Sequence, residues 1–563
     1  MPTKQIDINS LKKKALDLCE GINCEKDIDE GIKLLFDLHS ITTKYDDILT
    51  EYCLKKNDVS IIKKLMNTIS KDPFNEIFAR GYLITDKIND DLENIWVKNT
   101  ITFNSTCIYV YHHNKVNVSV KYNQNEQYVC IIGIAFNVLS DKSDNEILLS
   151  ECLSNLSIGI DNFLTFTNYL AGNYVILFGD NNNSYIITDA TGCRPVYYHQ
   201  NKMLFSSHYL LIQLLESESI TPVYEQYCKM NPRPFSMPGD YTPYNHILSL
   251  IPNHIINTNN KEIKRYWPNK TMEIVGEDQF IRICKLLLNN ELKQIVSKYN
   301  TIMSITGGHD SRLSLAASCK YSQLIRYFMF RTTMDDTKEH LEIQNDHEVS
   351  KYISDKIKIK YDCFPYLTTA HYRALRKLRH YSQLPASGLS ISAYYPDADV
   401  VIRSNLIELI REKNVYSWKT KDDGSSSLEI KQMINFVDHP YNEVSDEAFK
   451  DFISRNEFDE VHMHQYNAQH MFYWEHRMAL WSNQKVLDEY HSVDVIMLFN
   501  CRFLLDLGMR VYKKDNNSEI IDRMIEEMWP ELSGIPYSSI SGGKKNLKKI
   551  KLNSDKDDNN KDG

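Results

Sequence analysis

The chain has 563 residues, too many for one hydrophobic core, so two or more domains are expected. Its 42% hydrophobic and 25% charged residues are ordinary for a globular protein in water. With 65 Lys and Arg against 74 Asp and Glu, a net charge of -9 argues against a general nucleic-acid-binding surface.

The opening residues Met1–Leu18 carry no apolar h-region, and no uncharged apolar run is long enough to span a bilayer. The expectation is a cytoplasmic protein with no membrane partner. The 12 cysteines are scattered without a C-x-x-C pair and read as reduced thiols. Residues 1–95 carry apolar positions at helical spacing and are expected to form a solvent-facing helical extension, with docking of a protein partner as the alternative. Residues 96–268 change to short β-branched and aromatic runs such as "YVCIIGIAF" and "GNYVILFGD", separated by Asn, Asp and Gly turns. "FGDNNNSYIITD" reads as a hairpin around Asn181–Asn183. Residues 269–537 alternate apolar strands ("TIMSIT", "LIRYFMFRT", "DADVVIRSN") with amphipathic helices, the pattern of βαβ units. Within them, residues 476–530 read as helical throughout. Residues 538–563 are Lys-rich and then acidic, and read as a disordered tail. The fold class expected is α/β, with an α+β N-terminal part.

The stretch "SITGGHDSR", Ser304–Arg312, is the strongest local signal. A strand, Thr-Gly-Gly-x-Asp-Ser and a helix can hold a phosphate, because glycines allow close backbone approach and the helix start offers N–H groups. Ser304, Thr306, Gly307, Gly308, Asp310, Ser311 and Arg312 are therefore the candidate nucleotide-binding residues. Asp310 would repel a bare phosphate and fits Mg²⁺ carried on that phosphate. The turn has neither Walker A nor Rossmann spacing. Taken alone, it reads equally as an ordinary tight βα turn.

The turn resembles the Ser-Gly-Gly-x-Asp-Ser signature of the ATP pyrophosphatases, with Thr306 in place of the first serine. "DATGCRPVYYHQNKMLFSS" (Asp189–Ser207) and "GDYTPYNHILSLIPNHIINTNNKEIKRYW" (Gly239–Trp267) resemble two segments of the asparagine synthetases, with Asn253 where that family has glycine. In order and spacing the three resemble an asparagine-synthetase-like chain over residues 105–535. The resemblance implies a glutaminase-like domain of stacked β-sheets followed by an α/β ATP-pyrophosphatase-type synthetase domain. It also implies ATP and Mg²⁺ as cofactors.

Two departures qualify that expectation. Glutamine-using members need an N-terminal cysteine, whereas this sequence begins Met1-Pro2-Thr3, and Cys107 and Cys130 fall inside expected strands. No glutaminase activity is expected, as in the similar β-lactam synthetases. The family's Ser-Gly-Glu-Gly-x-Asp-Glu loop maps to Val400–Lys413, where the glycines are gone and Glu408 stands at the aspartate position. Ser404 and Asn405 are candidate phosphate donors there, Arg403 and Arg411 candidate cations, and Asp310 and Glu408 the candidate metal ligands. Alternatively, Asn405 caps a buried helix start. Arg477 and Arg502 are candidates for a substrate carboxylate. His462, His464, His470 and His476 lack a zinc-site spacing and read as solvated or capping residues.

The reaction implied is ATP-dependent amide formation. A small-molecule carboxylate is activated as an acyl-adenylate with pyrophosphate release, then attacked by ammonia or an amine. The catalytic set would be Asp310, Glu408 and Arg411, with no nucleic acid partner and a homodimer left open. The alternatives are a non-catalytic nucleotide-binding scaffold and a tRNA-modifying relative, the latter disfavoured by the net charge of -9.

Overall fold

The computed structural model describes residues 7–22, 24–103, 106–142, 144–229, 237–331, 338–380, 387–411, 415, 428–459, 462–511 and 519–538. Twelve of its strands build two antiparallel sheets. They are β1 (Tyr82–Thr85), β2 (Val97–Phe103), β3 (Thr106–His112), β4 (Val118–Tyr122), β5 (Tyr128–Asn137) and β6 (Leu170–Gly179), then β7 (Ser184–Thr188), β8 (Tyr197–His199), β9 (Leu204–Ser206), β10 (Ile247–Ser249), β11 (His254–Asn257) and β12 (Ile263–Arg265). One sheet has the order β10-β8-β9-β1-β3-β2 and the other β12-β11-β7-β6-β5-β4.

Period-two alternation stacks them. On β5, Cys130 and Ile132 point into the layer between the sheets, against Tyr82, Ile84 and Val110. Val129 and Ile131 point the other way, onto Leu149, Cys152 and Phe163 of the helices Asn145–Ile158 and Ile160–Thr167. The Asn181–Asn183 hairpin joins β6 and β7 as expected.

The remaining strands are β13 (Thr301–Ser304), β14 (Ile325–Arg331), β15 (Tyr361–Pro365), β16 (Val400–Arg403) and β17 (Asp494–Met497). They form a parallel sheet of order β15-β14-β13-β16-β17, with helices in the connections. The α/β class is therefore observed. Two short strands depart from the expected pattern. β1 lies inside the segment expected to be helical to residue 95, and β17 inside the one expected to be helical from 476 to 530. Each has four buried residues, too few to display a period.

The N-terminal helices are not a solvent-facing appendage. Leu35, Leu49, Ile62 and Leu65 join the main core. Arg373 Nε donates to Asp47 at 2.8 Å, Lys377 Nζ to Glu51 at 2.7 Å, and Arg379 to the carbonyls of Glu76 and Ile77. The tail expected beyond 538 lies outside the described residues. Among those described, no helix is long and apolar enough to cross a membrane.

The helix Glu277–Lys298 carries Glu291, fully buried with neither carboxylate oxygen hydrogen-bonded. Burial pushes its pKa well above the usual carboxylate range. An acid with a raised folded-state pKa is at home while protonated. Its share of stability is complete below the unfolded value of about 4.3 and is lost as pH rises above it. Glu291→Gln is thus expected to raise the melting temperature, by more at pH 7.5 than at pH 5. An equal shift at both pH values would show that Glu291 is solvated or paired.

Candidate functional site

In an open parallel sheet, ligands bind beyond the carboxyl ends of the strands where the strand order reverses. Here the chain leaves β13 for β14 and β15 on one side, then returns to β16 and β17 on the other. The reversal lies between β13 and β16, which pair in register from Thr301↔Val400 to Met303↔Ile402. The two segments singled out in the sequence, Ser304–Arg312 and the loop after Val400, leave these neighbouring strands at that same end.

Ser304 closes β13, and Gly308 caps the helix His309–Ala317. The turn is held largely by its own groups. Thr306 N–H donates to Ser311 Oγ at 2.9 Å, the two hydroxyls lie 2.9 Å apart, and Gly308 N–H donates to Thr306 Oγ1 at 3.3 Å. Thr306 and Ser311 thus shape the turn rather than extend from it. Gly307 N–H donates to Asp346 Oδ1 at 3.1 Å, so an internal carboxylate already uses one amide of the cradle. Arg312, expected at a phosphate, is buried. Its guanidinium donates to the carbonyls of Gly307, Ile535 and Pro536 and lies 4.0 Å from the centre of the Tyr537 ring.

The β16 side meets this turn through charge. Arg411 Nη1 stands 3.4 Å from Asp310 Oδ1, tying the short helix Glu408–Arg411 to the first turn of the helix His309–Ala317. Glu408 has its pKa raised by burial, against the opposing pull of its own backbone N–H, of Arg411 and Arg477, and of the Tyr473 hydroxyl. Its Oε2 is buried without a hydrogen-bond partner although two cations stand near the carboxylate, and Ser404 Oγ is likewise buried without a partner. Nearby, His309 is pushed down to about 4 by burial and by Arg411. Asn405 follows Ser404 and precedes Leu406, which is held at φ 83 with its side chain fully buried. A left-handed backbone on so bulky a residue is strained, and such strain concentrates at functional turns. Arg403 is ion-paired to Glu489 beneath the crevice and supplies no free charge.

Tyr473 and Arg477 reach Glu408 from the π-helix Tyr473–Trp481, where Arg477 also lies 5.4 Å from the Trp481 ring centre. π-Helical turns are rare and favour functional sites. Sequence reasoning selected Arg477 but passed over Tyr473, whose only signal is the four-residue spacing between them. Asp346 and Tyr537 were also missed, and neither has a local sequence signal.

Arg502 does not join this cluster. Its Nε donates to Asn253 Oδ1 at 2.7 Å, and Asn253 Nδ2 donates to Glu475 Oε1 at 2.8 Å. Glu475 in turn is buried against Arg265. Asn253 adopts φ 68, the glycine-type conformation that asparagine tolerates, at the position where the resembling family has glycine. Arg502 therefore binds the stacked sheets to the helical layer.

Cys130 lies between the sheets with its thiol pushed up to about 12 by burial, and Cys107 is on β3. His462 pairs with Asp459, and His476 stacks on Phe472 at 4.6 Å. Burial takes the His476 imidazole down to about 3. His464 sits in a left-handed turn at φ 47, and His470 is buried at the start of the helix Ala468–Phe472. Among the described residues, no group of three or more His, Cys, Asp or Glu is placed to hold a metal by itself.

No protein-family model and no curated protein matches the sequence. Among solved structures, the chain is similar to the glutamine phosphoribosylpyrophosphate amidotransferase of B. subtilis complexed with ADP and GMP, at 12% identity over 54% of this chain and 88% of that one, with a TM-score of 0.23. It is similar to an allosteric regulatory enzyme of purine biosynthesis at 9% identity over 58% and 92%, with a TM-score of 0.24. Likenesses this weak assign neither family nor activity.

Asn253→Ala is expected to cost roughly 3 kcal/mol or more, because Arg502 and Glu475 each lose a partner and alanine is strained at positive φ. Asn253→Gly should recover only the backbone share, about 1 kcal/mol. Denaturant melts of the two variants check this, and equal losses would remove the backbone contribution.

Proposed function

We propose that the chain is an ATP-dependent carbon–nitrogen ligase of the asparagine-synthetase-like kind. It would activate a carboxylate as an acyl-adenylate, release pyrophosphate and pass the acyl group to ammonia or an amine. The observation that carries this reading is the convergence at the β13/β16 reversal. A Gly-Gly turn opens a helix there, and Asp310, Glu408, Arg411, Arg477 and Tyr473 gather beside it.

The residues fit a nucleotide better than they fit a free-standing metal. Gly307, Gly308 and the start of the helix His309–Ala317 are an anion cradle, with the unpartnered Ser404 Oγ across from it. Mg²⁺ would have to arrive on the phosphates, which bring their own oxygens, with Asp310 and Glu408 completing its shell. Bound there, it would neutralise charge building on the leaving pyrophosphate.

The protein's own part is positioning and charge. Arg411 already balances Asp310 and can swing toward the phosphates once a second cation takes the carboxylate. Arg477, near the Trp481 ring, would hold the carboxylate of the acid being activated. Tyr473 would steady Glu408 through its hydroxyl. For the nitrogen source, β1 opens at Tyr82, separated by four residues from the helix Pro73–Ile77, and no cysteine stands between Pro73 and Thr85. Ammonia or an amine is therefore the proposed nucleophile.

The scaffold reading is favoured by one observation. The Asp310 carboxylate is held by Arg411 and the Gly307 amide by Asp346, so both are engaged inside the protein.

ATP–pyrophosphate exchange across a panel of carboxylic acids, aspartate included, separates the two. Exchange dependent on one acid is expected, with a fall of roughly 10²–10³ in Asp310→Asn. ATP binding without exchange for any acid would favour the scaffold.

A further inference from the structure

The segment Ile535–Ser538 lies directly on the Gly-Gly turn. Ser538 N–H donates to Gly307 O at 3.1 Å, and Ser538 Oγ donates to Asp346 Oδ1, the same oxygen that accepts from Gly307 N–H. The fit allows no side chain. A Cβ added to Gly307 would meet Ser538 Oγ at 2.4 Å and Val349 Cβ at 3.0 Å. Tyr537 stacks on His309 with ring centroids 3.5 Å apart and planes 20° apart, and its hydroxyl donates to Asp522. Under the same ring, Arg312 gives its N–H groups to the carbonyls of Ile535 and Pro536.

These contacts consume the groups that an incoming anion needs. The Gly307 amide faces a carboxylate, the guanidinium faces main-chain carbonyls, and a phenol ring lies over the first turn of the helix His309–Ala317. A carboxylate accepting from a glycine amide at a helix start is also a reasonable likeness of a phosphate oxygen in that place. We propose that Ile535–Ser538 is a built-in strap that keeps the cradle closed to phosphate, with Asp346 holding the place of the anion beneath it. The proposal rests on the nucleotide reading of the turn and adds a regulatory step to it. Nucleotide enters only when the strap lifts, and Gly307 is a glycine to accommodate the strap as well as a ligand.

The apparent affinity of a gated site falls in proportion to the fraction of molecules that are open. If a few per cent are open, releasing the strap should tighten binding about tenfold or more. The test uses the full-length chain, wild type against Tyr537→Ala/Ser538→Ala, with two readouts. One is amide hydrogen exchange of the peptide covering residues 301–312, which reports the turn without any ligand. The other is Mg–ATP titration by calorimetry. Faster exchange together with binding at least about tenfold tighter is the expected result. Faster exchange with unchanged ATP affinity would overturn the gate while leaving the nucleotide reading in place. Unchanged exchange would show that the strap does not protect the turn and would overturn the proposal directly. Faster exchange with no ATP bound by either protein would remove the nucleotide reading, and the gate with it. Ser538→Gly, which deletes only a hydroxymethyl group, must move both readouts in the same direction, so that a folding defect in the double variant cannot pass for release.

Discussion

The molecule hangs on Asp494. This first residue of β17 sits at the edge of the parallel sheet and accepts from two buried arginines that belong to the stacked sheets. Arg194 Nη2 reaches it at 2.8 Å and Arg80 Nε at 3.3 Å. Both guanidiniums also donate to main-chain carbonyls, Arg194 to those of Asn173 and Arg80, and Arg80 to those of Tyr490 and Ser492. Charged groups taken out of water are tolerated only with hydrogen bonding of this kind, and removing one partner of a pair like this costs about 3–5 kcal/mol. The contact therefore acts as a register mark as much as a source of stability. It fixes where β17 meets the sandwich, and with it the neighbouring strand β16 and the loop carrying Glu408.

The π-helix Tyr473–Trp481 carries that constraint into the crevice. Its residue Glu475 belongs to the Asn253–Arg265 junction, while Tyr473 and Arg477 on the same element face Glu408. One stretch of backbone thus holds the sandwich with one side chain and builds the site with two others. Arg502 and Arg477, which look equivalent in the sequence, are separated by this geometry. One is spent on cohesion between layers, and the other stands at the β13/β16 reversal.

What the sequence made legible follows from length and period. β5, β6 and β7 are long enough to show as β-branched and aromatic runs between turn residues, and β13, its turn and its helix carry a composition that suits a βα junction. β1 and β17 have four residues each and no alternation to read. The placement of Asp310 beside Arg411 depends on β13 and β16 being neighbours in the sheet, which no local pattern encodes. Only resemblance suggested it in advance. The left-handed conformations of Asn253 and Leu406 show the same division. Asparagine announces the possibility, whereas leucine conceals it, because its side chain is chosen for the core while its backbone serves the turn. The contacts of Arg312 were unreadable for a further reason: two of its three carbonyl partners lie on residues more than 220 positions away, at Ile535 and Pro536.

A π-helix holds one residue more in each hydrogen-bonded turn than an α-helix does. The nine residues Tyr473–Trp481 therefore carry a surplus. If one were deleted, the backbone could relax into ordinary α-helix, and the side chains within the segment would be redistributed around its axis at 3.6 residues per turn. Tyr473 and Glu475 could then no longer face their separate partners while Arg477 kept its own. The π-helix works as a phase adjuster. It lets a single rod answer to two surfaces that are out of step with each other, and it makes this stretch of the chain intolerant of a change in length that a surface helix would absorb.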